Sequence, residues 1–197
     1  MGVLPHLYPA DKVVSADFMG YPLKVGTGLH DSSSALIPYL STFKEPFALL
    51  STGTWCITLN PFNEHPLTSG ELKQDCLCYL SYTGNPVKAS RLFAGNEHEV
   101  QTKRLAAHFH TSELHYRHVH FNEAFYRELL QKGRNGDPEK DIPTLLHKFG
   151  QRLLTDYNTY DEAYHQLIFD LVNALAVSSN LVLENTAVKK LFVDGGF

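Results

Sequence analysis

FALLSTGTWCITL, residues 47–59, carries the clearest structural pattern in this chain of 197 residues. Residues 47–50 form an apolar run of strand length, and residues 55–59 alternate between two faces. The segment between them, 51–54, combines hydroxyl side chains with glycine, which is typical of a tight turn. The pattern therefore predicts a β-hairpin with its tip at residues 51–54.

The rest of the chain mixes strand and helix signals around that hairpin. We predict a short strand at residues 23–27 and a third strand of the meander at 77–82. A glycine turn at 26–28 precedes a helix that Asp31 or a neighbouring serine caps. The remaining predicted elements are helices at 31–40, 96–109, 121–130, 143–154 and 160–184 and a final strand at 190–194. Their order predicts an α/β fold that begins with consecutive antiparallel strands.

Length and composition limit the classes of protein that the chain can form. With 43% hydrophobic and 19% charged residues, it is expected to form one large domain or one and a half ordinary ones. A formal charge of −4 argues against a face that binds nucleic acid. No run approaches the roughly 18 apolar residues of a membrane helix, and no signal-peptide pattern opens the chain. Because its cysteines number three, we expect reduced thiols and a cytoplasmic protein.

Three short segments contain the residues that are candidates for binding or catalysis. Residues 25–32, VGTGLHDS, place a carboxylate after a glycine turn; residues 50–55, LSTGTW, form a hydroxyl-rich tip; and residues 193–196, VDGG, end a strand in two glycines. Backbone N–H groups of such a tip can bind phosphate, paired glycines permit close approach of a flat ligand, and a carboxylate can accept a proton. Taken singly, each segment also has an ordinary explanation as a turn, a bend or a helix cap.

In their order and spacing, the three segments resemble the FGGY family of carbohydrate kinases, within the actin-like and Hsp70-like ATPase superfamily. Residues 21–31, YPLKVGTGLHD, resemble the stretch that leads to the catalytic aspartate of the family. Residues 50–55 resemble its second phosphate motif, and residues 191–196, LFVDGG, resemble the start of its adenosine motif. The His-Asp pair and the STGTW form are most similar to the rhamnulokinase and fuculokinase branch.

The resemblance implies a role for individual residues. Asp31 matches the catalytic aspartate, which accepts or orients the proton of the sugar hydroxyl, and the adjacent His30 would contact the sugar. The implied ATP-binding residues are Thr52, Gly53 and Thr54 at the β- and γ-phosphates, and Gly195 and Gly196 at the adenosine. ATP and Mg²⁺ are the implied cofactors, and no residue of this chain is assigned as a metal ligand.

The resemblance also implies an actin-like, ribonuclease H-like α/β lobe with the order β-β-β-α-β-α, here incomplete. Residues 1–43 would be the end of the first lobe and carry the helix of the catalytic aspartate. Residues 44–197 would be the nucleotide-binding second lobe, ending at the adenosine motif. Since the chain contains no Asp-x-Gly-Thr motif, we expect it to be the middle-to-late part of a longer kinase and to be inactive alone.

The function implied is a phosphotransferase reaction, the ATP-dependent phosphorylation of a sugar hydroxyl on a deoxyketose such as L-rhamnulose or L-fuculose. The expected partners are the sugar and ATP, with a homodimer left open and neither nucleic acid nor a membrane involved. An alternative is a non-catalytic ligand-binding or interaction domain on the same fold. The intact Asp31 and the Thr-Gly-Thr tip argue against that alternative, because a decayed site should have lost one of them.

A run of histidines offers a third hypothesis, a metal site. His118 and His120 would share a face if residues 118–120 formed a strand, as metal ligands can. The sequence supplies no nearby cysteine or acidic pair to complete the site, so a surface cluster of histidines is favoured. Cys76 and Cys78 would likewise share one face of a strand, and two small buried side chains are the favoured interpretation.

Overall fold

The computed structural model describes residues 12–26, 28–133 and 141–196. These residues form two compact units. Unit 1 comprises the described residues of 12–51, 57–90 and 182–194, and unit 2 comprises those of 52–56, 91–181 and 195–196. The predicted lobe boundary between residues 43 and 44 lies within unit 1 and stays a prediction.

Unit 1 begins with an antiparallel hairpin of β1 (Val13–Phe18) and β2 (Tyr21–Gly26). The φ angles of Met19 and Gly20, 53° and 82°, are those that a tight hairpin turn of type I′ requires. The Asp17 carboxylate accepts a hydrogen bond from the Gly20 N–H at 2.9 Å, which stabilises this turn. The predicted strand at 23–27 is therefore one arm of a hairpin, whereas its other arm was not predicted.

The predicted helix at 31–40 is two short helices, α1 (Asp31–Ala35) and α2 (Ile37–Thr42). Pro38 causes the division, because proline has no N–H to donate and is tolerated only in the first turn of a helix. It occupies the first turn of α2, and Leu36 links the two helices as the C-cap of one and the N-cap of the other.

A five-stranded sheet contains the predicted hairpin. Its strands are β3 (Phe47–Thr52), β4 (Cys56–Asn60), β5 (Cys76–Leu80), β6 (Pro86–Leu92) and β7 (Lys190–Gly195). The spatial order is β5-β6-β4-β3-β7. β3 and β4 are antiparallel, with Leu49 opposite Leu59, and a short helix, α3 (Ser69–Lys73), follows β4. The α/β class is confirmed. The order differs from the predicted one, because α3 lies between β4 and β5 and a fourth strand, β6, precedes the next helix.

The prediction that residues 77–82 form the third strand of the meander is corrected by the strand order of the sheet. The strand beside β4 is β6, which was not predicted, and the predicted strand at 77–82 corresponds to β5 at the edge of the sheet. β6 was missed because its polar residues resemble those of a loop. Lys88 and Ser90 are in fact buried, and the Lys88 ammonium lies 2.7 Å from the Glu71 carboxylate of α3.

The core of unit 1 is apolar and closely packed. Its fully buried members, from α1–α2, β3, β4 and β6, are Leu36, Phe47, Leu49, Leu59, Val87 and Ala89. On β7, the Phe192 ring lies 4.5 Å from Phe43 and 5.1 Å from Tyr39, measured between ring centroids. These aromatic contacts bring β7 onto the same core as the helices that follow Asp31.

Unit 2 is mainly helical. Its helices are α4 (Ala94–Phe109), α5 (Glu123–Gly133), α6 (Ile142–Leu146) and most of α7 (Tyr160–Leu183), with 3-10 turns at His115–His118, Phe149–Gln151 and Leu154–Asp156. The helix predicted at 143–154 is therefore α6 followed by two 3-10 turns. The long helix predicted at 160–184 is confirmed as α7.

Among the described residues, α7 is the one helix whose length and apolar composition would suffice to cross a membrane. Its buried residues follow a helical period, with Ala163, Leu167, Leu171 and Ala174 on one face. The same face contains Asp170, 2% exposed, which accepts a hydrogen bond from Arg152 at 2.7 Å. A buried stripe with a paired charge is typical of a core helix of a folded domain.

The buried pair of Lys88 and Glu71 gives a prediction about stability. Burial tends to raise the pKa of Glu71, but hydrogen bonds from Lys88 and Thr68 outweigh it and lower that pKa below its ordinary value. The pair therefore stabilises the fold above the ordinary pKa of a glutamate, and this stabilisation is lost as pH falls through the lowered value. We expect Glu71→Gln to reduce the free energy of unfolding at pH 7 by roughly 3 kcal/mol, because it leaves the Lys88 ammonium buried and unpaired.

Urea unfolding at pH 7 and at pH 3 measures this effect. The matched control is Glu64→Gln, which removes an exposed carboxylate of the same unit and should change stability by less than about 0.5 kcal/mol. The difference between Glu71→Gln and the wild type should shrink at pH 3. A difference of equal size at both pH values would contradict the role given to the Glu71 charge.

Candidate functional site

The tip between β3 and β4 is the centre of the candidate site. β3 ends at Thr52, β4 begins at Cys56, and Gly53, Thr54 and Trp55 form the bend between them. All three residues predicted to approach the ATP phosphates therefore lie at one hairpin tip within unit 2.

The two glycines after β7 pack directly on this tip. Gly195 has a φ of +112°, and a Cβ atom there would overlap the Thr52 carbonyl oxygen and lie 2.7 Å from the Thr52 hydroxyl oxygen. The next residue, Gly196, donates its N–H to the same carbonyl oxygen at 3.3 Å. The structure thus brings together the predicted phosphate segment and the predicted adenosine segment, and the close approach explains why residue 195 is a glycine.

A third glycine at the tip was missed by the sequence prediction. Gly95 lies in the first turn of α4, and a Cβ atom there would overlap the Gly53 carbonyl oxygen and lie 2.8 Å from the Thr54 Cα. The neighbouring Asn96 N–H donates to the Thr54 carbonyl oxygen at 3.3 Å. A glycine just before a predicted helix start was the available signal, but its contact with residues 53–54 is not visible in local sequence.

A cavity of about 530 Å³ opens beside these glycines in unit 2. Gly53, Thr54, Gly95 and Gly196 line one part of it. The α4 residues 95, 98, 99, 102 and 103 line its length and share one helical face, which spans about 12 Å at ~1.5 Å per residue. Such dimensions fit an elongated small molecule with one end at the glycines.

Two ring side chains of the cavity lining, His98 and Tyr116, meet near the middle of α4. The His98 Nε2 lies 3.0 Å from the Tyr164 hydroxyl, and the His98 ring meets the Tyr116 ring edge to face at 4.9 Å. Burial lowers the pKa of His98, which keeps its imidazole uncharged at neutral pH. Burial also raises the pKa of Tyr164 to about 12, so the hydroxyl keeps its proton.

Charged groups lie further along the same helix. The Lys103 ammonium is 2.6 Å from the Glu99 carboxylate, one helical turn away. The hydrogen bond between them lowers the pKa of Glu99 and raises the pKa of Lys103, to which the charge of Glu113 also contributes. The cavity lining therefore combines glycines of the tip, two ring side chains and a charged pair.

Trp55 stands next to the tip and is the single tryptophan of the chain. Its ring lies 4.4 Å from the Phe93 ring, and the Arg91 guanidinium carbon lies 4.9 Å from its ring centroid. With 40% of its surface exposed, the indole is held in place but remains accessible to solvent. It is therefore a natural optical probe of changes at the tip.

His30 and Asp31 belong to unit 1. Asp31 begins α1, and its carboxylate is 92% exposed and accepts the Ser32 N–H at 2.7 Å. His30 is the N-cap residue, with its Nδ1 atom 2.9 Å from the Asp31 Oδ1 atom. Their catalytic and sugar-binding roles stay predictions, since the local geometry alone is also that of a helix cap.

The histidine run does not form the strand on which the metal hypothesis depended. His118 ends the 3-10 turn His115–His118, and His115 packs edge to face on Tyr160 at 4.6 Å. Among the residues that the structure describes, no group of three or more His, Cys, Asp or Glu side chains could hold a metal ion. Cys76 is buried and Cys78 is exposed, so the prediction that both are buried is wrong.

The mixed sheet with its helices is a ribonuclease H-like α/β fold. Residues 44–125 match the family model described as carbohydrate kinase FGGY, C-terminal domain. No curated protein matches the chain. Among solved structures, the chain is similar to a carbohydrate kinase from Novosphingobium aromaticivorans, with a TM-score of 0.50 and 19% sequence identity. The match covers 88% of this chain and 37% of that kinase, so the chain spans little over a third of the kinase that it resembles.

Proposed function

We propose that the chain is part of an ATP-dependent carbohydrate kinase and contains most of its nucleotide site. The observation that carries this proposal is the packing of Gly95 and Gly195 against the Thr52–Thr54 tip, at the end of an elongated cavity. The match of residues 44–125 to the FGGY C-terminal domain supports it independently. Residues 1–43 are proposed as the end of the first lobe and residues 44–197 as the second.

The nucleotide would lie along α4. Backbone N–H groups and hydroxyls of Thr52, Gly53 and Thr54 are suited to the phosphates, since the glycines let phosphate oxygens approach the backbone closely. The rings of His98 and Tyr116 are suited to packing against a flat base. In this proposal, Gly195 and Gly196 have two roles. They hold the tip in place, and they line the adenosine pocket.

Asp31 would act on the sugar. An exposed carboxylate can accept the proton of a hydroxyl that attacks the γ-phosphorus, while the bond from that phosphorus to the bridging oxygen of ADP breaks. Mg²⁺, when present, neutralises phosphate charge, and it is usually held by phosphate oxygens and water with few protein ligands. No residue of this chain is assigned to the ion.

The sugar proposed is a deoxyketose such as L-rhamnulose or L-fuculose, in a cytoplasmic enzyme. This choice depends on the His30–Asp31 pair and on the STGTW form of the tip. The test is phosphoryl transfer from ATP by the longer protein to a panel of ketoses and aldoses. Transfer to deoxyketoses supports the proposal; ATP binding without transfer to any sugar would favour a non-catalytic binding domain.

Trp55 allows nucleotide binding to be measured on the chain itself. We expect ATP to change the intensity of Trp55 emission in a saturable way, because the indole lies beside the tip that would receive the phosphates. Fluorescence titration measures the effect, and isothermal calorimetry gives an affinity that does not depend on the probe.

Two variants serve as controls for this titration. Trp55→Phe should abolish the optical signal and keep the heat of binding, which shows that the signal comes from the tip. Val100→Ala, on an exposed part of α4 that does not line the cavity, should bind ATP as the wild type does. No heat and no change in emission with millimolar ATP, in folded protein, would argue against a nucleotide site.

A further inference from the structure

The imidazole of His30 is held between an aromatic ring and a carboxylate. Its ring is stacked on the Tyr79 ring with centroids 4.9 Å apart and planes inclined by 25°. At the edge of the ring, the His30 Nδ1 atom lies 2.9 Å from the Asp31 Oδ1 atom. All three residues belong to unit 1.

The hydrogen-bond geometry selects one tautomer of His30. The Ser32 N–H has two acceptors within reach, the Asp31 Oδ1 at 2.7 Å and the His30 Nδ1 at 3.2 Å. If His30 Nδ1 carried no proton, its lone pair would face the carboxylate oxygen at 2.9 Å, which is repulsive. With a proton on Nδ1, His30 donates to Asp31 and the Ser32 N–H is satisfied by the nearer oxygen. In the form of the ring that carries its single proton on Nδ1, the Nε2 atom can only accept.

The Tyr79 side chain is more buried and more closely packed than the His30 ring that stacks on it. It lies on β5 opposite Val87 of β6, which is fully buried, and its side chain packs against the core of unit 1. The His30 side chain is 55% exposed and its residue precedes the first turn of α1. A half-exposed side chain would otherwise sample several rotamers, so the stack on Tyr79 restricts its orientation.

We propose that Tyr79 is a positioning residue that fixes the His30 ring so that Nε2 accepts a hydrogen bond from a sugar hydroxyl next to Asp31. The inference rests on the proposed kinase function. Adjacent acceptors, an imidazole nitrogen and a carboxylate oxygen, complement the neighbouring hydroxyls of a polyol. One hydroxyl would bind His30 and the next would donate its proton to Asp31.

The tautomer can be observed on the chain by ¹⁵N NMR of the imidazole nitrogens, with His30→Gln used to assign the His30 signals. Wild type and Tyr79→Phe should show the Nδ1–H tautomer, because phenylalanine keeps the stack. Tyr79→Leu should shift His30 toward a mixture of tautomers and remove the ring-current shift. If Tyr79→Leu does not fold by its amide spectrum, Tyr79→Met takes its place. Unchanged His30 signals in the leucine or methionine variant would overturn the positioning role.

Steady-state kinetics of the longer kinase test the sugar contact. Tyr79→Leu should raise KM for the sugar by about three- to tenfold, since an aromatic pair contributes about 0.5–1.5 kcal/mol. KM for ATP should stay constant, and Tyr79→Phe should restore the KM of the wild type. An unchanged KM for the sugar would overturn the contact. Failure of the protein to phosphorylate any sugar would overturn the kinase function and this contact, whereas the NMR measurement would still decide whether Tyr79 fixes His30.

Discussion

Asp31→Asn is expected to lower the turnover number of the longer kinase by about 10²- to 10⁴-fold and to leave nucleotide affinity unchanged. Asparagine has nearly the same shape, but its amide cannot accept the proton of an attacking hydroxyl at neutral pH. The sugar would still bind, and the phosphates would still lie at the Thr52–Thr54 tip. The loss should therefore appear in kcat more than in either KM.

The structure indicates that Asp31→Asn changes the proton acceptor without disturbing the fold. The Asp31 side chain is 92% exposed, and asparagine can still accept the Ser32 N–H as a cap. Stability should change by less than about 0.5 kcal/mol. Glu64→Gln, the control at an exposed carboxylate of the same unit, should keep full turnover. Turnover of Asp31→Asn within a factor of two of the wild type would rule out Asp31 as the proton acceptor.

Local sequence patterns were sufficient to predict an element whose residues form a clear pattern by themselves. The hairpin of β3 and β4 follows from an apolar run, a turn and an alternating run, and α7 follows from many turns of one apolar period. These patterns failed where a contact with a residue distant in sequence allows a polar side chain to be buried. β6 contains Lys88 and Ser90, which suggested a loop, yet Glu71 of α3 pairs with Lys88 and allows it to be buried.

The hairpin of β1 and β2 shows a second limit of local reasoning. Its turn uses Met19 at a φ of 53°, a conformation that favours glycine or asparagine, so the sequence has no standard turn signal there. Pro22 argues further against a central strand, because proline cannot donate to a neighbouring strand. A strand in a two-stranded ribbon has a free edge and tolerates it.

At the candidate site, the family resemblance singled out residues that composition and periodicity alone could not. Thr52, Gly53 and Thr54 and the two terminal glycines were singled out by motif order, and the structure brings them together at one tip. Gly95 was missed because its importance arises from steric contact with Gly53 in another part of the sequence. Motifs identify segments, but only packing shows which backbone atoms exclude a side chain.

That packing gives the second large expected effect, a loss of both stability and ATP affinity in Gly195→Ala. The substitution forces alanine into a φ of +112° and drives its Cβ atom into the Thr52 carbonyl. Backbone strain of this kind costs about 1–3 kcal/mol before any displacement of the tip. We expect a fall in melting temperature of about 4–10 °C and at least a tenfold loss of ATP affinity. Gly70→Ala is the matched control, because a Cβ atom there meets only the Thr68 hydroxyl oxygen at 3.9 Å and residue 70 does not line the cavity.

Gly95→Ala separates displacement of the tip from backbone strain. Its position is within α4, where alanine is favoured over glycine by about 1 kcal/mol, so a loss must come from the overlap with Gly53. If the tip binds phosphate, Gly95→Ala should weaken ATP binding at least tenfold, and its melting temperature should fall less than that of Gly195→Ala, because its backbone carries no positive φ. Affinities for ATP in Gly95→Ala and Gly195→Ala equal to those of Gly70→Ala and the wild type would show that the tip does not bind the nucleotide, however much the first two destabilise the fold. Thermal unfolding with and without ATP measures both quantities on the same samples, because a ligand that binds the folded state stabilises it by an amount that grows with the logarithm of its concentration divided by Kd.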